Sequence, residues 1–198
     1  MDPNWNEYRA EFPDRYWEHS VFDDALVSFL KKRRVDKCVD IGGGVFGTQV
    51  LEQQKFSTFL LDPNVENCPA WMAGRVNWGD HLFFDLAVAR GSINYLTNAQ
   101  LSQLRNMIRP KGCIIANTFL TPPSSQWRKR DVRNGAGENG VEWVRLHNGM
   151  VEHILEYPQR KIEHQFYFRS QDDFQNFLPG CRFIQHGANS FTLFWDAA

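Results

Sequence analysis

A chain of 198 residues, 42% hydrophobic and 23% charged, carries enough apolar material for a packed core and reads as one globular domain. Its 22 basic and 23 acidic residues cancel to a formal charge of -1, so no global field recruits nucleic acid or an anionic membrane, and a small-molecule partner is favoured. No run approaches the roughly 18 apolar residues of a membrane span, and the N-terminal stretch is polar and aromatic rather than basic then apolar. The expected location is the cytoplasm, with no membrane partner.

Cys38, Cys68, Cys113 and Cys181 are widely spaced and three lie in apolar runs, so they read as reduced, packed thiols. Together with the six histidines they show no ligand spacing, and no metal site is expected.

In chain order, Ser20 followed by Asp23 predicts an N-cap for a helix burying Val21, Phe22, Ala25, Leu26, Phe29 and Leu30. The basic residues Lys31, Lys32, Arg33 and Arg34 suit the carbonyl end of that helix. Cys38-Val39-Asp40-Ile41 is a buried strand running into glycines, followed by a helical stretch through Thr48, Val50 and Leu51. Further strands are expected at Thr58-Phe59-Leu60-Leu61, at residues 74–77, at Leu86-Ala87-Val88-Ala89 and at Cys113-Ile114-Ile115-Ala116. A helix capped by Thr97 and Gln100 carries Leu101, Leu104, Met107 and Ile108. Strands alternating with helices predict a parallel sheet covered on both faces.

After Phe119, prolines and glycines bracket the basic run 128–133, expected to be a mobile surface loop. Asn148-Gly149 is a two-residue hairpin signal that sets Leu146 opposite Val151 and Val144 opposite His153. A second turn over residues 158–161 sets Tyr157 opposite Ile162, Leu155 opposite His164 and His153 opposite Phe166, giving a three-stranded meander whose apolar face Glu142 interrupts. Ser170 and Asp173 cap a last helix, and two strands, 182–185 and 190–195, close the chain.

The chemistry concentrates in Gly42-x-Gly44-x-x-Gly47, a backbone that a ligand can approach closely after a strand. Asp62, about 20 residues beyond the first glycine and at the end of the second strand, suits both hydroxyls of a ribose. Asp40 puts an anion beside the loop, repelling a pyrophosphate and favouring a ligand with an ammonium and a sulfonium. A nicotinamide oxidoreductase is thereby disfavoured.

With these residues the chain resembles the class I S-adenosylmethionine-dependent methyltransferases, whose motif reads Asp-x-Gly-x-Gly-x-Gly. Asp40, Gly42 and Gly44 match, the last glycine comes one position late at Gly47, and the similarity continues through Asp62, Gly79-Asp80, Phe84-Asp85, Arg90-Gly91-Ser92 and Arg109-Pro110-Lys111-Gly112. The resemblance implies a doubly wound, mostly parallel seven-stranded α/β sheet with an antiparallel last strand, plus the added β-meander after strand 5; the closing strands are similar to the family's antiparallel sixth and seventh. Its parts would be 1–34 (N-terminal helices and lid), 35–119 (cofactor half), 120–169 (meander) and 170–198 (closing helix and strands). It implies S-adenosyl-L-methionine as cofactor and S-adenosyl-L-homocysteine as product. Asp40, Gly42, Gly43 and Gly44 would lie by the methionine moiety, Asp62 on the ribose, Asp80 and His81 by adenine, and Arg90 on the substrate side.

Trp5, Tyr8, Phe12, Tyr16 and Trp17 form either a lid over the cofactor, with Tyr16 touching it, or an amphipathic packing face. His153 and His164, on one meander face, are either core residues or a general base, and Tyr95 is a further catalytic candidate. The leading expectation is methyl transfer to a small molecule. The alternatives are a non-methylating enzyme that cleaves or cyclises the cofactor or transfers its aminocarboxypropyl group, and a catalytically silent scaffold.

Overall fold

The computed structural model describes residues 17–44, 47–62, 70–134, 137–186 and 189–198. Helix α1 (Trp17–Leu30) precedes β1 (Lys37–Ile41), α2 (Gln49–Glu52), β2 (Ser57–Leu61), β3 (Gly74–Arg75) and β4 (Phe84–Ala89). A 3-10 turn (Ile93–Tyr95), α3 (Asn98–Asn106) and β5 (Ile108–Thr118) follow. Strands β6 (Arg128–Arg133), β7 (Asn139–His147), β8 (Met150–Tyr157) and β9 (Arg160–Tyr167) then form a unit of their own. The chain closes through α4 (Gln171–Phe177), β10 (Arg182–Gln185) and β11 (Phe191–Asp196).

The seven-stranded sheet has the order β10-β11-β5-β4-β1-β2-β3. Strands β1 to β5 are parallel, and β11 runs antiparallel to both neighbours. Only β11 is therefore reversed; β10, expected to be antiparallel as well, is turned back by its pairing with β11 into the direction of the parallel set. On one face Val39, Ala87, Ile114 and Leu193 pack with Leu101 and Leu104 of α3 and Phe174 of α4. On the other, Cys38, Leu86, Val88 and Ile115 pack with Phe22 and Leu26 of α1. The strand order reverses at the β1–β4 boundary, and in sheets of this kind ligands bind at the strands' C-terminal ends beside such a switch.

The reason for these boundaries is local. Capping boxes close the starts of α3 (Thr97 with Gln100) and α4 (Ser170 with Asp173), as their sequence signatures predict. Ser20 is not an N-cap: α1 already runs at Trp17, and the Asp23 carboxylate is taken by Arg90. Helix α2 is a single turn over the expected stretch, so it offers little dipole to a ligand. Strand β3 stops after two residues because Asn77 and Asp80 fold into a turn. The described thiols Cys38, Cys113 and Cys181 are buried and reduced, and burial raises Cys38 well above the usual range and pushes Cys113 up to about 12. Cys68 lies outside the described residues.

The second sheet corrects two expectations. The basic run 128–133 is not a loop but β6, paired along its whole length with β7, so the meander has four strands in the order β6-β7-β8-β9. The Asn148-Gly149 hairpin has the expected register, with Leu146 opposite Val151 and Val144 opposite His153. The next turn is tighter than expected: Tyr157 pairs with Arg160, leaving only Pro158 and Gln159 between the strands. Pairing therefore slips by two residues, which keeps every side chain on its face and sets His153 directly opposite His164.

Candidate functional site

At the C-terminal end of β1, Asp40 is fully buried, and both its oxygens accept hydrogen bonds from Thr48: Oδ2 from the backbone N–H at 2.6 Å and Oδ1 from the hydroxyl at 2.9 Å. This carboxylate ties the glycine loop to the start of α2. Burial raises its pKa to about 6, opposed by the Thr48 hydrogen bonds and the charge of Arg90. A Cβ on Gly43 would lie 2.3 Å from Asp40 Oδ2, so only glycine leaves that carboxylate in place.

Gly47 is fixed by a different contact. It sits at φ +62°, and a Cβ there would lie 2.5 Å from Met72 Cε and 2.8 Å from Trp71 Cζ2. The late glycine thus answers to left-handed backbone and a close approach by residues 71–72. Gly47→Ala is expected to cost about 1–3 kcal/mol, from the left-handed strain plus the overlap; an unchanged urea midpoint for the variant would refute this account.

The loop's far side meets β2. The Gly44 N–H donates to Asp62 Oδ2 at 3.0 Å, and the Gly42 N–H donates to the Leu61 carbonyl at 3.0 Å. A Cβ on Gly44 would meet nothing within 4 Å among the described residues. On the other flank the Ser92 hydroxyl donates to the Ile41 carbonyl, and the Gly91 N–H donates to Asn117 Oδ1. Glycine loop, Asp62 and the segment after β4 therefore share one edge of the sheet.

Arg90 is placed there too, but it grips Asp23 of α1 with Nε at 2.8 Å and Nη2 at 2.7 Å, holding the helix over the edge. Asp80 lies just past β3 and accepts the Asn77 N–H at 2.9 Å, so turn capping occupies one of its oxygens; His81 beside it is exposed. Asp85 sits at the opposite end, accepting the N–H groups of Asp36 and Lys37 at 2.8 Å each. Trp5, Tyr8, Phe12 and Tyr16, and with them the lid reading, lie outside the described residues.

The second sheet stands beside this edge. Asn94, in the turn after Ser92, donates from Nδ2 to the Tyr167 carbonyl at 3.1 Å and accepts the Thr118 hydroxyl at 2.8 Å. Buried Arg169 donates to the Leu96 carbonyl at 2.5 Å and to Asn98 at 3.1 Å. Half-buried rings gather at the junction: Phe166 lies 5.5 Å from Tyr95 and 5.1 Å from Phe119, centroid to centroid, and Tyr95 lies 6.4 Å from His164. All three catalytic candidates thus fall in one neighbourhood. His153 and His164 touch, Nδ1 to Nε2 at 3.0 Å, and His153 Nε2 meets Glu142 Oε1 at 2.8 Å.

Glu142 was not among the sequence candidates. Its signal was present, a carboxylate interrupting the apolar alternation of β7, but its partners depended on β6 and on the tighter second turn. Asn94 and Arg169, which join the two sheets, had no motif to mark them. Among the described residues no group of histidine, cysteine or carboxylate side chains could hold a metal ion, and no helix is long and apolar enough to cross a membrane.

Comparison with solved structures defines the class of fold. An S-adenosylmethionine-dependent methyltransferase from Clostridium acetobutylicum superimposes with a TM-score of 0.72 at 13% identity, covering 98% of each chain. The 1,6-didemethyltoxoflavin-N1-methyltransferase of Burkholderia thailandensis, solved with bound 1,6-didemethyltoxoflavin and S-adenosylhomocysteine, gives 0.54 at 13% identity over 92% of this chain and 79% of that one. The N-methyltransferase NodS of Bradyrhizobium japonicum gives 0.52 at 11% identity, over 93% and 98%. Neither family models nor curated proteins give a sequence match. The chain has the Rossmann-like fold of class I S-adenosylmethionine-dependent methyltransferases.

Proposed function

We propose that the protein is an S-adenosylmethionine-dependent methyltransferase acting on a small molecule in the cytoplasm, as a single domain over 1–198. The observation that carries this reading is the convergence of Asp40, the glycines at 42–44 and Asp62 at the strand-order switch, with Gly44 bonded to Asp62. A neighbour of the same fold, solved with 1,6-didemethyltoxoflavin and S-adenosylhomocysteine bound, supports it.

The residues fit the cofactor. Asp62 would accept from the ribose hydroxyls, the 42–44 backbone would border the methionine moiety, and Asp40 would supply the buried negative charge facing its ammonium. Asp80 and His81 would border adenine. Arg90 holds α1 against this edge and acts through that helix. When bound, S-adenosylmethionine supplies an activated methyl group, so the chain's task is in-line placement, exclusion of water and removal of one proton. His153, His164 and Tyr95 would be the groups that handle that proton.

Calorimetric titration with S-adenosylmethionine and with S-adenosylhomocysteine tests the reading. Micromolar binding of both is expected; binding of neither leaves a scaffold that keeps the fold without the cofactor.

A further inference from the structure

Three charged side chains follow one another on the face of the main sheet that α1 covers. Side chains alternate along a strand, so Asp40 shares its face with Cys38, two residues before it. That face is the one on which Cys38, Leu86 and Val88 pack against Phe22 and Leu26 of α1. Val88 is also the partner of Asp40 across the β1–β4 boundary. Arg90 comes two residues later on the same side, and its guanidinium reaches α1: Asp23, next to Phe22, accepts from Nε at 2.8 Å and from Nη2 at 2.7 Å. The order from the end of β1 to the helix is acid, base, acid.

The backbone keeps Arg90 one diagonal step from Asp40. Strands about 5 Å apart and a two-residue rise of about 7 Å set the two Cα atoms roughly 8 Å from each other, a separation that long side chains bridge. Beyond Arg90 the Gly91 N–H donates to Asn117 Oδ1 and the Ser92 hydroxyl donates to the Ile41 carbonyl, which ties this segment to the residue after Asp40. The two-pronged grip of Asp23 then fixes the guanidinium in direction as well as in place. The side chains of Arg90 and Asp23 are 15% and 24% exposed, so water and salt screen this pair weakly.

A buried carboxylate needs such a neighbour. Asp40 is fully buried and is pushed up to about 6 by that burial; the Thr48 hydrogen bonds and the charge of Arg90 work against the rise, and the charge of Asp62 at the end of β2 adds to it. Asp23 on α1 reaches Asp40 through Arg90, and Cys38 on the same strand stays a neutral thiol. Once protonated, Asp40 has no charge to offer a cation.

We propose that Arg90 is a positioning residue for the cofactor: locked by Asp23, its guanidinium keeps the Asp40 carboxylate charged, and that carboxylate holds the ammonium of the methionine moiety. This rests on the methyltransferase reading and deepens it. Arg90 works at one remove from the ligand, through Asp40 as well as through α1.

The first test needs no ligand. Carboxyl-carbon NMR follows the Asp40 resonance, assigned by its disappearance in Asp40→Asn. Wild-type Asp40 is expected to titrate at about pH 6 and Arg90→Met at about pH 7, a modest shift for the loss of a nearby opposite charge. Arg90→Lys restores the charge and should bring the midpoint most of the way back. The double variant Asp23→Asn with Arg90→Met leaves the net charge unchanged and no carboxylate stranded under α1; it guards against a folding defect in Arg90→Met and should also titrate above wild type. An Asp40 midpoint at the wild-type pH in Arg90→Met and in the double variant makes Arg90 a mechanical clamp and overturns the proposal.

Calorimetry with S-adenosylhomocysteine tests the second half. Arg90→Met should bind about threefold more weakly than wild type at about pH 6.5, where far less of its Asp40 is ionised, and within about twofold at about pH 8.5, where both are ionised. A loss of the same size at both pH values overturns the link from Arg90 to the ammonium. A wild-type protein that binds no S-adenosylhomocysteine overturns the methyltransferase reading instead, and the carboxyl titration still decides what Arg90 does to Asp40.

Discussion

Asp62→Ala is expected to weaken S-adenosylhomocysteine binding by about a hundredfold. A carboxylate accepting two ribose hydroxyls makes two charge-assisted hydrogen bonds, each contributing about 1.5 kcal/mol at a half-buried site, and the sum of about 3 kcal/mol corresponds to that factor. Asp62 also tethers the loop through the Gly44 N–H, so its loss loosens the backbone that borders the same ligand. Asp62→Asn keeps one acceptor oxygen and should lose about tenfold. Isothermal titration of the three proteins decides the matter, and an Asp62→Ala affinity within threefold of wild type would remove this residue from the site.

Asp40→Asn is expected to stabilise the fold while damaging the ligand site. The Asp40 carboxyl has a pKa of about 6 in the folded chain against an ordinary 3.8, chiefly because it is fully buried. Between those values the folded protein keeps a proton that the unfolded chain has released, so this group makes stability fall as pH rises from about 4 to 6. The accumulated loss is about 3 kcal/mol above that window. An asparagine can still accept the Thr48 N–H and donate to the Thr48 hydroxyl, with no charge to desolvate. Urea unfolding should therefore show the variant more stable than wild type by about 2–3 kcal/mol at pH 7.5, with this pH slope gone. Affinity for S-adenosylhomocysteine should drop at least about tenfold, because the ligand's ammonium loses its counter-charge. A variant less stable than wild type at pH 7.5 contradicts this account of Asp40.

Much of the main sheet was legible because its signals are local. Buried strands such as Cys38-Val39-Asp40-Ile41 are short apolar runs, and the boxes at Thr97 and Ser170 are complete within four residues. Strand β6 was not, because it is an edge strand: of its residues only Val132 is half-buried and the rest are exposed, so it has no apolar alternation to read. Charge on an edge also discourages pairing with another chain, which makes such a strand look like a solvated loop. The second turn was misjudged because Pro158-Gln159 lacks the glycine or asparagine that marks a two-residue connection. The slip of two residues preserved the face of each side chain, so the histidines were placed on the right surface but paired with the wrong neighbours. Their link to Glu142 depends on contacts across three strands, and no single segment encodes it.

The turn after β4 belongs to two neighbourhoods at once. Ser92 holds the glycine loop through the Ile41 carbonyl, and Asn94, two residues on, holds β9 through the Tyr167 carbonyl. A ligand that orders this turn from the loop side prepays part of the ordering required by a ligand on the aromatic side. By thermodynamic reciprocity, any factor by which the first tightens the second is the factor by which the second tightens the first. The order in which two ligands arrive then changes the path of assembly, and the stability of the ternary complex is the same by either route.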